Sequence, residues 1–548
     1  FLHPQSNLAR TVGGIVQQYR ENQKLINGAY RATVRKKIGA VSNTITAAFT
    51  FDTRKYEVNG TKGERLFDPT FVSLNNADPL SVATITTAEN NNRLGAFINY
   101  TGNYKNWLNF SISGRMDGSS RLVDPVKWDP KRPYYFYWSA GTSVVLSDLL
   151  KMPNWINYAK YRLNYATTGR DPRTPYVTSN RFAQSTFTGG GFSPFVTQGN
   201  PALKAEFSQQ FETGVEMKFF KGRMGIDFAY YDNKTVDQLI NPRLSYASGA
   251  ILKWINGGDV TNRGFEFQLT GAPIKNKKLT WDVTVNFARN RNKILRMPAN
   301  LPFFYNSDTW IAGIRNIAVT GGSIFQLAAV RFQRNSNGEL LVNPNSGLPV
   351  ILSDYVPIGD RQPDFTMGLI NSFSFLNDWN VSFNLDIRRG GDIYNGTEAW
   401  MYARGISTKT LDRETPRVIR GVLNDGLQNT ANPTRNTIVL TPYYRSEFYS
   451  AGIADEDFLE RGINWVRLRD ITVSYRLPAK FIKRQNLIKS ASVFFTGTDL
   501  FILTNYTGAD PAANANNAAS RGGIGGVGMD FGNLATPMGL NFGIRAQF

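Results

Sequence analysis

Met538–Phe548 reads MGLNFGIRAQF, an unbroken alternation of apolar residues with polar or very small ones. Because side chains of an extended chain point alternately to two faces, the pattern predicts a strand with one wholly apolar face. A tilted strand that crosses a bilayer has about ten residues, close to the length of this stretch. A strand of a soluble β-sandwich can show the same alternation. The stretch alone therefore leaves both a membrane barrel and a sandwich open.

Segments with the same alternation recur from end to end of the chain. Their polar faces carry whole charges, which a soluble sandwich could equally turn toward water, so the pattern does not separate the two folds. The segments lie at residues 44–51, 108–113, 211–219, 224–230, 281–287 and 380–388.

The length and hydrophobicity of the chain narrow the choice. A soluble protein of 548 residues should divide into several domains, but no linker or change in composition divides this one. No window holds the roughly 18 consecutive apolar residues of a membrane-spanning helix. A barrel remains possible because its strands show only half of their residues to lipid. Helical periodicity is scarce, and the best candidate, at Asp148–Leu150, is short.

The composition also excludes several kinds of site. With no cysteine, the chain has neither a disulfide framework nor a thiolate metal site. The formal charge of +20 raises nucleic acid as a partner, but the longest basic run is only Arg35–Lys37 and no zinc-ligand spacing is present. We therefore expect charge dispersed over polar faces and loops, with no nucleic-acid partner. The chain opens on Phe1 without a signal peptide, so we expect the later part of a longer precursor.

The connections between the predicted strands alternate between short and long. Short turns on one rim and long loops on the other are typical of outer-membrane barrels, and a soluble domain has no physical reason to sort its loops in this way. The last strand, entered from a long loop, should end at the short-turn rim. The alternation thus predicts a periplasmic Phe548 and extracellular long loops. Short turns are predicted at residues 102–106, 221–222, 273–278 and 376–378, and long loops at 117–136, 167–207, 232–262, 289–364, 389–464 and 503–537.

The strand count is roughly fifteen, with the first strand near residues 29–34. A bacterial single-chain barrel takes an even number of strands, so this odd count does not close one. The prediction is the later two-thirds of an antiparallel transmembrane β-barrel.

Longer motifs lie at the ends of the predicted strands, and together they resemble those of one family. They read RMDGSSR at 115–121, NPALKAE at 200–206, NRGFE at 262–266, IGD at 358–360, GGDIYN at 390–395, WVRLRDITVSY at 465–475 and GADP at 508–511. In this order, the set is similar to SusC/RagA-like TonB-dependent outer-membrane transporters of Bacteroidota. The chain departs from the family's pattern at Ala512, where Glu usually follows GADP, and at Asp499, where Asn usually precedes Leu.

The resemblance implies an all-β barrel of about 22 strands with a plugged lumen. Residues 1–548 would be its C-terminal portion, without the plug and the periplasmic N-terminal domain. It further implies active import of a large nutrient, an oligosaccharide or a peptide. The implied partners are a SusD-like surface lipoprotein as a lid, the TonB complex through the missing N-terminal part, and the lipid and lipopolysaccharide of the outer membrane.

Other functions remain open beside import. A barrel without transport could serve as a structural or secretion-associated docking platform, and a passive porin is a further alternative. An outer-membrane enzyme is disfavoured because His3 is the single histidine, which leaves little material for histidine acid–base or nucleophilic chemistry.

Acidic and polar turns are the remaining candidates for an ion site. Asp455-Glu456-Asp457 could bind Ca²⁺ through carboxylate oxygens, but it lacks the spaced ligands and the glycine of a calcium loop. We favour a solvated loop charge and expect no cofactor. The stretch Asp117–Ser120 could form either an anion-binding turn or a structural turn at a strand end, and the structural turn is favoured.

Binding of a large polymer should fall to aromatic side chains in the long loops, since aromatic rings with polar partners hold sugars and peptides. For each of them, packing against a neighbouring loop is the alternative. At the C-terminus we expect a signal for barrel assembly. The predicted substrate contacts are Trp310, Trp400, Tyr402 and Arg404, and the predicted assembly signal is Phe542, Ile544 and Phe548.

Overall fold

The computed structural model describes residues 1–6, 9–124, 133–184, 191–245, 247, 249–306, 313–352, 354–376, 378–444, 448, 454–478, 488–512, 514–515 and 526–548. Within these ranges, fifteen strands form one antiparallel sheet whose order follows the chain. The number agrees with the prediction. The strands are β1 (Ile15–Ile38), β2 (Val41–Glu64), β3 (Ala83–Tyr104), β4 (Leu108–Ser119), β5 (Tyr134–Val145), β6 (Ile156–Arg170), β7 (Glu206–Phe219), β8 (Met224–Val236), β9 (Asp259–Lys275), β10 (Leu279–Arg296), β11 (Phe365–Phe375), β12 (Trp379–Arg389), β13 (Trp465–Arg476), β14 (Ser490–Thr504) and β15 (Gly539–Gln547).

The connections alternate in length as predicted. Short ones lie at residues 39–40, 105–107, 220–223, 276–278 and 376–378, intermediate ones at 146–155 and 477–489, and long ones at 65–82, 120–133, 171–205, 237–258, 297–364, 390–464 and 505–538. Short and intermediate connections join one set of strand ends, the short-turn end, and long ones join the other, the long-loop end. The tight turn of three residues after β3 uses the left-handed conformation at Lys105 (φ 47°) and Asn106 (φ 66°), which reverses the chain over a short distance.

Among the described residues, the helices with defined bounds are few and short. They are α1 (Leu146–Leu149), close to the predicted helical stretch, and α2 (Gly396–Ala403), which the sequence analysis missed. Asn395 caps α2 by accepting a hydrogen bond from the Glu398 amide at 3.0 Å, and Asn followed three residues later by Glu is the signal that could have found it. No helix among the described residues has the length and apolar character needed to cross a membrane. The 3₁₀ turns lie at Arg10–Val12, Leu74–Asn76, Pro79–Ser81, Ser120–Leu122, Thr408–Thr410, Pro442–Tyr444 and Asp455–Phe458.

The connections also carry short strands of their own. These are Phe182–Gln184, Phe192–Pro194, Thr197–Gln198, Leu239–Ile240, Leu252–Lys253, Ile255–Asn256, Phe303–Tyr305, Arg315–Val319, Gln326–Ala329, Leu341–Val342, Val356–Asp360, Ile393–Asn395, Arg417–Val418, Val422–Leu423, Val439–Leu440, Leu459–Glu460, Asn514–Ala515, Gly526–Val527 and Met529–Asp530.

The first compact unit comprises Phe1–Thr142, Tyr165–Gln209 and Asp237–Gly257. Its strands β1 and β2 have 24 residues each, far more than the roughly ten that cross a bilayer. The prediction of a first strand near residues 29–34 was too short. Residues 17–24 read QQYRENQK and carry almost no apolar alternation, so periodicity could not reveal a backbone ladder that pairs β1 with β2 from Ile15↔Glu64 to Ile38↔Val41.

One face of these strands is apolar and exposed. Tyr30, 74% exposed, pairs with the exposed Phe49, and Val34 pairs with the exposed Ile45. On β3, the exposed Ile98 continues the same face. A contiguous exposed apolar face of this kind indicates contact with something other than water.

The second compact unit comprises Ser143–Asn164, Gln210–Val236 and Gly258–Phe548. The stretch that opened the sequence analysis forms β15, which pairs with β14 at Phe542↔Phe495. Its predicted apolar face is confirmed and lies on the surface, with Phe542 72% exposed. Sheet and register here follow directly from the alternation of residues.

The described parts of three long connections of the second unit, residues 297–364, 390–464 and 505–538, pack on one another and are called the loop assembly. Its short strands combine into small sheets, in which Gln326–Ala329 pairs with Arg315–Val319 and Val356–Asp360. The assembly has a core of its own, and apolar packing of this kind stabilises a folded body in water. The buried core residues are Ile314, Leu327, Ala329, Ile358, Tyr394, Ala399, Phe458, Leu459 and Met529.

Candidate functional site

The predicted substrate contacts fall in different surroundings. Trp310 lies outside the described residues. Trp400 sits on α2 with 47% of its surface exposed, and the Arg404 guanidinium carbon lies 5.4 Å from the centroid of its ring, a cation–π arrangement. Tyr402, on the same helix, packs against the core with its ring centroid 5.7 Å from that of Phe458. Trp400 and Arg404 thus offer a surface, while Tyr402 is partly taken up by packing; their role in binding stays a prediction.

Exposed apolar side chains surround the end of α2. The backbone brings them together, since the Ile406 amide bonds the Met401 carbonyl at 3.0 Å and the Tyr443 amide bonds the Arg413 carbonyl at 2.9 Å. Large apolar groups exposed in this number on a loop mark a surface that meets a partner or ligand. We call the group the apolar loop patch: Trp400, Ile406, Leu411, Tyr443 and Tyr444.

A buried ion pair below the loops joins two of the sequence motifs. Arg467, from WVRLRDITVSY, is 3% exposed and pairs with Asp510, from GADP. Burial opposes ionisation of Asp510, but hydrogen bonds from the Ala512 amide, from Arg467 and from Thr536 outweigh it and lower its pKa to about 2. The carboxylate therefore stays charged and fixes the connection after β14 to strand β13.

Two buried tyrosines brace the long connections from within, and a threonine joins two of these connections. The Tyr506 hydroxyl donates to Asp530 Oδ2 at 2.6 Å, and Thr397 donates to the other oxygen of Asp530 at 3.0 Å. The Tyr394 hydroxyl donates to Asp455 Oδ1 at 3.1 Å. Burial raises the pKa of Asp455 to about 6, although this hydrogen bond works against the shift. The tyrosine links span 24 and 61 positions within one connection each, and the Thr397–Asp530 bond joins residues 390–464 to residues 505–538.

The acidic cluster is built into this framework rather than free in solvent. Glu456 accepts from the Phe332 amide at 3.0 Å and Asp457 from the Ala454 amide at 3.3 Å, while Asp455 serves Tyr394. The interpretation as solvated loop charge was therefore wrong for Asp455. Within the described ranges, no group of three or more His, Cys, Asp or Glu side chains is arranged to hold a metal ion.

A cavity of about 470 Å³ opens in the first unit beside the RMDGSSR motif. Strands β3, β4 and β5 supply side chains from the face opposite their exposed apolar one, and the end of β6 contributes Gly169 and Arg170. Arg115 pairs with Asp117 at 2.7 Å, and Arg93 pairs with Asp171 at 2.5 Å. The lining residues are Arg93, Arg115, Asp117, Arg121, Tyr135, Tyr137, Gly169, Arg170, Asp171 and Arg173.

The turn that follows β4 is used for structure. Ser119 accepts from the Arg121 amide at 3.3 Å, which starts a 3₁₀ turn, and donates to Asp171 Oδ2 at 2.6 Å. These bonds favour the structural alternative for this stretch. The sequence analysis did not single out the arginine side chains that the motif places in the cavity.

The predicted assembly signal lies at the end of the last strand. Phe542 and Ile544 are exposed on the apolar face of β15, and Phe548 follows the strand, also exposed. Their role in assembly stays a prediction.

Comparison with known proteins gives consistent results for the fold. Residues 4–386 match the family described as TonB dependent receptor-like, beta-barrel. The chain is similar to TonB-dependent receptor P3 of Formosa agariphila, with 26% identity over 97% of this chain and 53% of that protein. It is also similar to TonB-dependent receptor SusC of Bacteroides thetaiotaomicron, with 23% identity over 73% of this chain and 39% of that one.

Among solved structures, the RagAB peptide transporter aligns with a TM-score of 0.73 and 19% identity, over 97% of this chain and 56% of that chain. A likeness at this identity establishes the fold. The chain spans about half the length of curated relatives such as P3, of which it covers 53%.

Proposed function

This chain belongs to the TonB-dependent receptor-like β-barrel family of the bacterial outer membrane, and from that premise we propose that it is the C-terminal barrel portion of a nutrient importer. The nutrient is a large one, an oligosaccharide or a peptide. The observation that carries the proposal is the loop assembly, which combines a buried core with the exposed apolar loop patch. A folded platform at the long-loop end suits the capture of a partner or a large ligand.

The proposed partner at this platform is a SusD-like lipoprotein that closes over it. The apolar loop patch supports this, because apolar side chains exposed to water gain free energy when a partner covers them. Energy would come from the TonB complex through an N-terminal part that lies outside these residues. The family match and the similarity to SusC support both partners.

The proposed orientation places the long-loop end outside the cell and the short-turn end in the periplasm. Strand β15 is entered from residues 505–538 and ends at the short-turn end, so Phe548 would face the periplasm. The exposed apolar faces, with Tyr30 and Phe49 in the first unit and Phe542 in the second, would contact membrane lipid and the acyl chains of lipopolysaccharide.

The first test isolates the full-length protein from native outer membranes in mild detergent and identifies the proteins bound to it. We expect a SusD-like lipoprotein in near-equal amount. The double variant L411S/Y444S removes two exposed apolar side chains from the patch, so it should recover at least about fivefold less lipoprotein. The control L150S changes an exposed leucine in the connection of residues 146–155 and should recover the normal amount.

Growth separates import from the docking alternative. An importer should lose growth on its nutrient when TonB is deleted, and equally when the full-length gene is deleted. Normal growth of both strains, with unrelated proteins bound to the barrel, would overturn the import proposal and favour a docking platform.

A further inference from the structure

The cavity of the first unit carries more positive charge than its acidic residues can balance. Five arginines and two aspartates line it. An excess of guanidinium groups around a concave space raises the local concentration of anions. The arginines are Arg93, Arg115, Arg121, Arg170 and Arg173, and the aspartates are Asp117 and Asp171.

Both aspartates are already engaged. Asp171 forms ion pairs with Arg93 at 2.5 Å and with Arg121 at 3.6 Å, and it accepts a hydrogen bond from the Ser119 hydroxyl at 2.6 Å. Asp117 forms an ion pair with Arg115 and accepts a hydrogen bond from the Tyr137 hydroxyl at 2.7 Å. Neither carboxylate has charge to spare for further arginines.

Arg170 and Arg173, both exposed to solvent, carry the positive charge that the two aspartates do not balance. Arg170 lies 3.8 Å from Glu206, a long and half-exposed contact. In the described part of the chain, no carboxylate lies within ion-pair distance of Arg173. Arg121 has a side chain only 13% exposed, and its buried Nε lacks a hydrogen-bond partner, as does the buried Nε of Arg93. Both Nε atoms are closed to solvent, so the positive charge that a bound anion would meet comes from the guanidinium groups that line the cavity, among them the exposed Arg173.

We propose that this cavity binds one oxyanion group, a carboxylate or a sulfate, between Arg121 and Arg173. The planar fork of a guanidinium matches the oxygens of such a group. A volume of about 470 Å³ admits a group of the size of one sugar or one amino acid. If the imported nutrient carries the oxyanion, the cargo of the importer is an acidic polymer. This statement about the cargo rests on the proposed import function, whereas binding of the oxyanion does not.

Calorimetry tests the binding on the full-length protein in detergent at low ionic strength. The probes are glucuronate, sulfate and, as the neutral comparator, glucose. We expect saturable heat with at least one of the two anions and none with glucose. The variant R173Q should weaken that binding at least about tenfold, because a charge-assisted hydrogen bond is lost.

The control R435Q removes the same charge from an exposed pair with Glu339 in the second unit and should bind as the parent does. Mobility on unheated gels confirms that each variant has a folded barrel. Absence of saturable anion binding by the folded parent, or equal affinities for the parent and R173Q, would overturn the site.

Transport assays decide where the oxyanion comes from. In cells, R173Q should slow TonB-dependent uptake of a carboxylated or sulfated oligomer and leave a neutral oligomer unaffected. Equal uptake of acidic oligomers by R173Q and parent cells would overturn the cargo step, while the calorimetric result stands. If parent cells take up none of the oligomers in a TonB-dependent manner, the import proposal itself fails, and the anion site is judged by calorimetry alone.

Discussion

The β1–β2 hairpin and the loop assembly use apolar side chains in opposite ways. Tyr30 and Val34 of β1 lie on the surface, whereas Leu327 and Tyr394 of the loop assembly have no exposed surface. In the hairpin, apolar residues alternate and share one outward face. In the loop assembly they are scattered along the chain and meet in an interior. The difference teaches that one chain can use apolar side chains both on an exposed strand face, which we propose meets lipid, and in the interior of its loops.

The two regions also differ in what holds them together. An unbroken ladder of backbone pairs runs along the full length of the hairpin. In its first strand, β1, all of which is described, Val16 is the only buried large apolar residue. The loop assembly instead relies on side chains that connect distant segments, such as the Arg467–Asp510 pair. A change in a buried contact should therefore affect the loops and leave the strand ladder in place.

The largest effect is expected for R467A. Removal of this buried partner leaves the Asp510 carboxylate unpaired, and such a loss costs about 3–5 kcal/mol. Limited proteolysis of the purified protein should then cut within residues 390–464 and 505–538, while unheated gels still show a folded barrel. The control R435A breaks an exposed pair, which contributes about 0–1 kcal/mol, and should keep the parent pattern. Equal protease resistance of R467A and the parent would contradict the assignment of this pair.

A smaller effect is expected for L327A, which opens a cavity in the core of the loop assembly. Truncation of a fully buried leucine costs about 2–5 kcal/mol. Denaturant titration, monitored by hydrogen exchange of the loop amides, should show this loss of loop stability. The matched variant L540A shortens an exposed leucine on β15 and should leave loop exchange unchanged. Faster loop exchange in L540A than in L327A would reverse the comparison.

The smallest effect concerns pH. Burial holds the pKa of Asp455 at about 6 in the folded protein, above its unfolded value of about 3.9. Between these values the folded state binds a proton that the unfolded state lacks. Loop stability should therefore rise by about 1 kcal/mol as the pH falls from 7 to 5. Asp510, with a pKa of about 2, stays ionised throughout this window.

The pH effect is measured as the difference between the parent and D455N in denaturant titrations at each pH. Asparagine cannot ionise but keeps an oxygen that accepts from Tyr394. A difference that does not change between pH 7 and 5 would show that Asp455 has an ordinary pKa.

The comparison also explains which features could be predicted from the sequence. The sheet could be predicted, because a strand with one apolar face leaves a period-2 pattern in residues 44–51 and 538–548. The full length of β1 could not, because residues 17–24 pair through their backbone with few apolar side chains to mark them.

The site was predictable only in part, for a physical reason. The motifs around Arg467 and Asp510 were visible, but their contact joins residues 43 positions apart, and no local pattern reports such a pair. The RMDGSSR motif likewise gave no sign that Arg121 would share a cavity with Arg173, which lies on a separate connection. The cluster at Asp455 was interpreted as solvated because charge suggests exposure, whereas Tyr394 buries its first member.

The contrast between the exposed strand face and the loop assembly can be measured directly by site-directed spin labelling, because residues 1–548 contain no cysteine that would compete with an introduced one. Single cysteines at residues 44–51 of β2, and one at Leu411, would carry a nitroxide in the full-length protein in bilayers. Power saturation with oxygen and with a water-soluble nickel complex then reports the solvent at each site. We predict oxygen accessibility that peaks at Ile45 and Phe49 and alternates with Thr44 and Thr46, and nickel accessibility that is highest at Leu411. Uniform access of nickel along β2 would contradict the assignment of the apolar face to lipid.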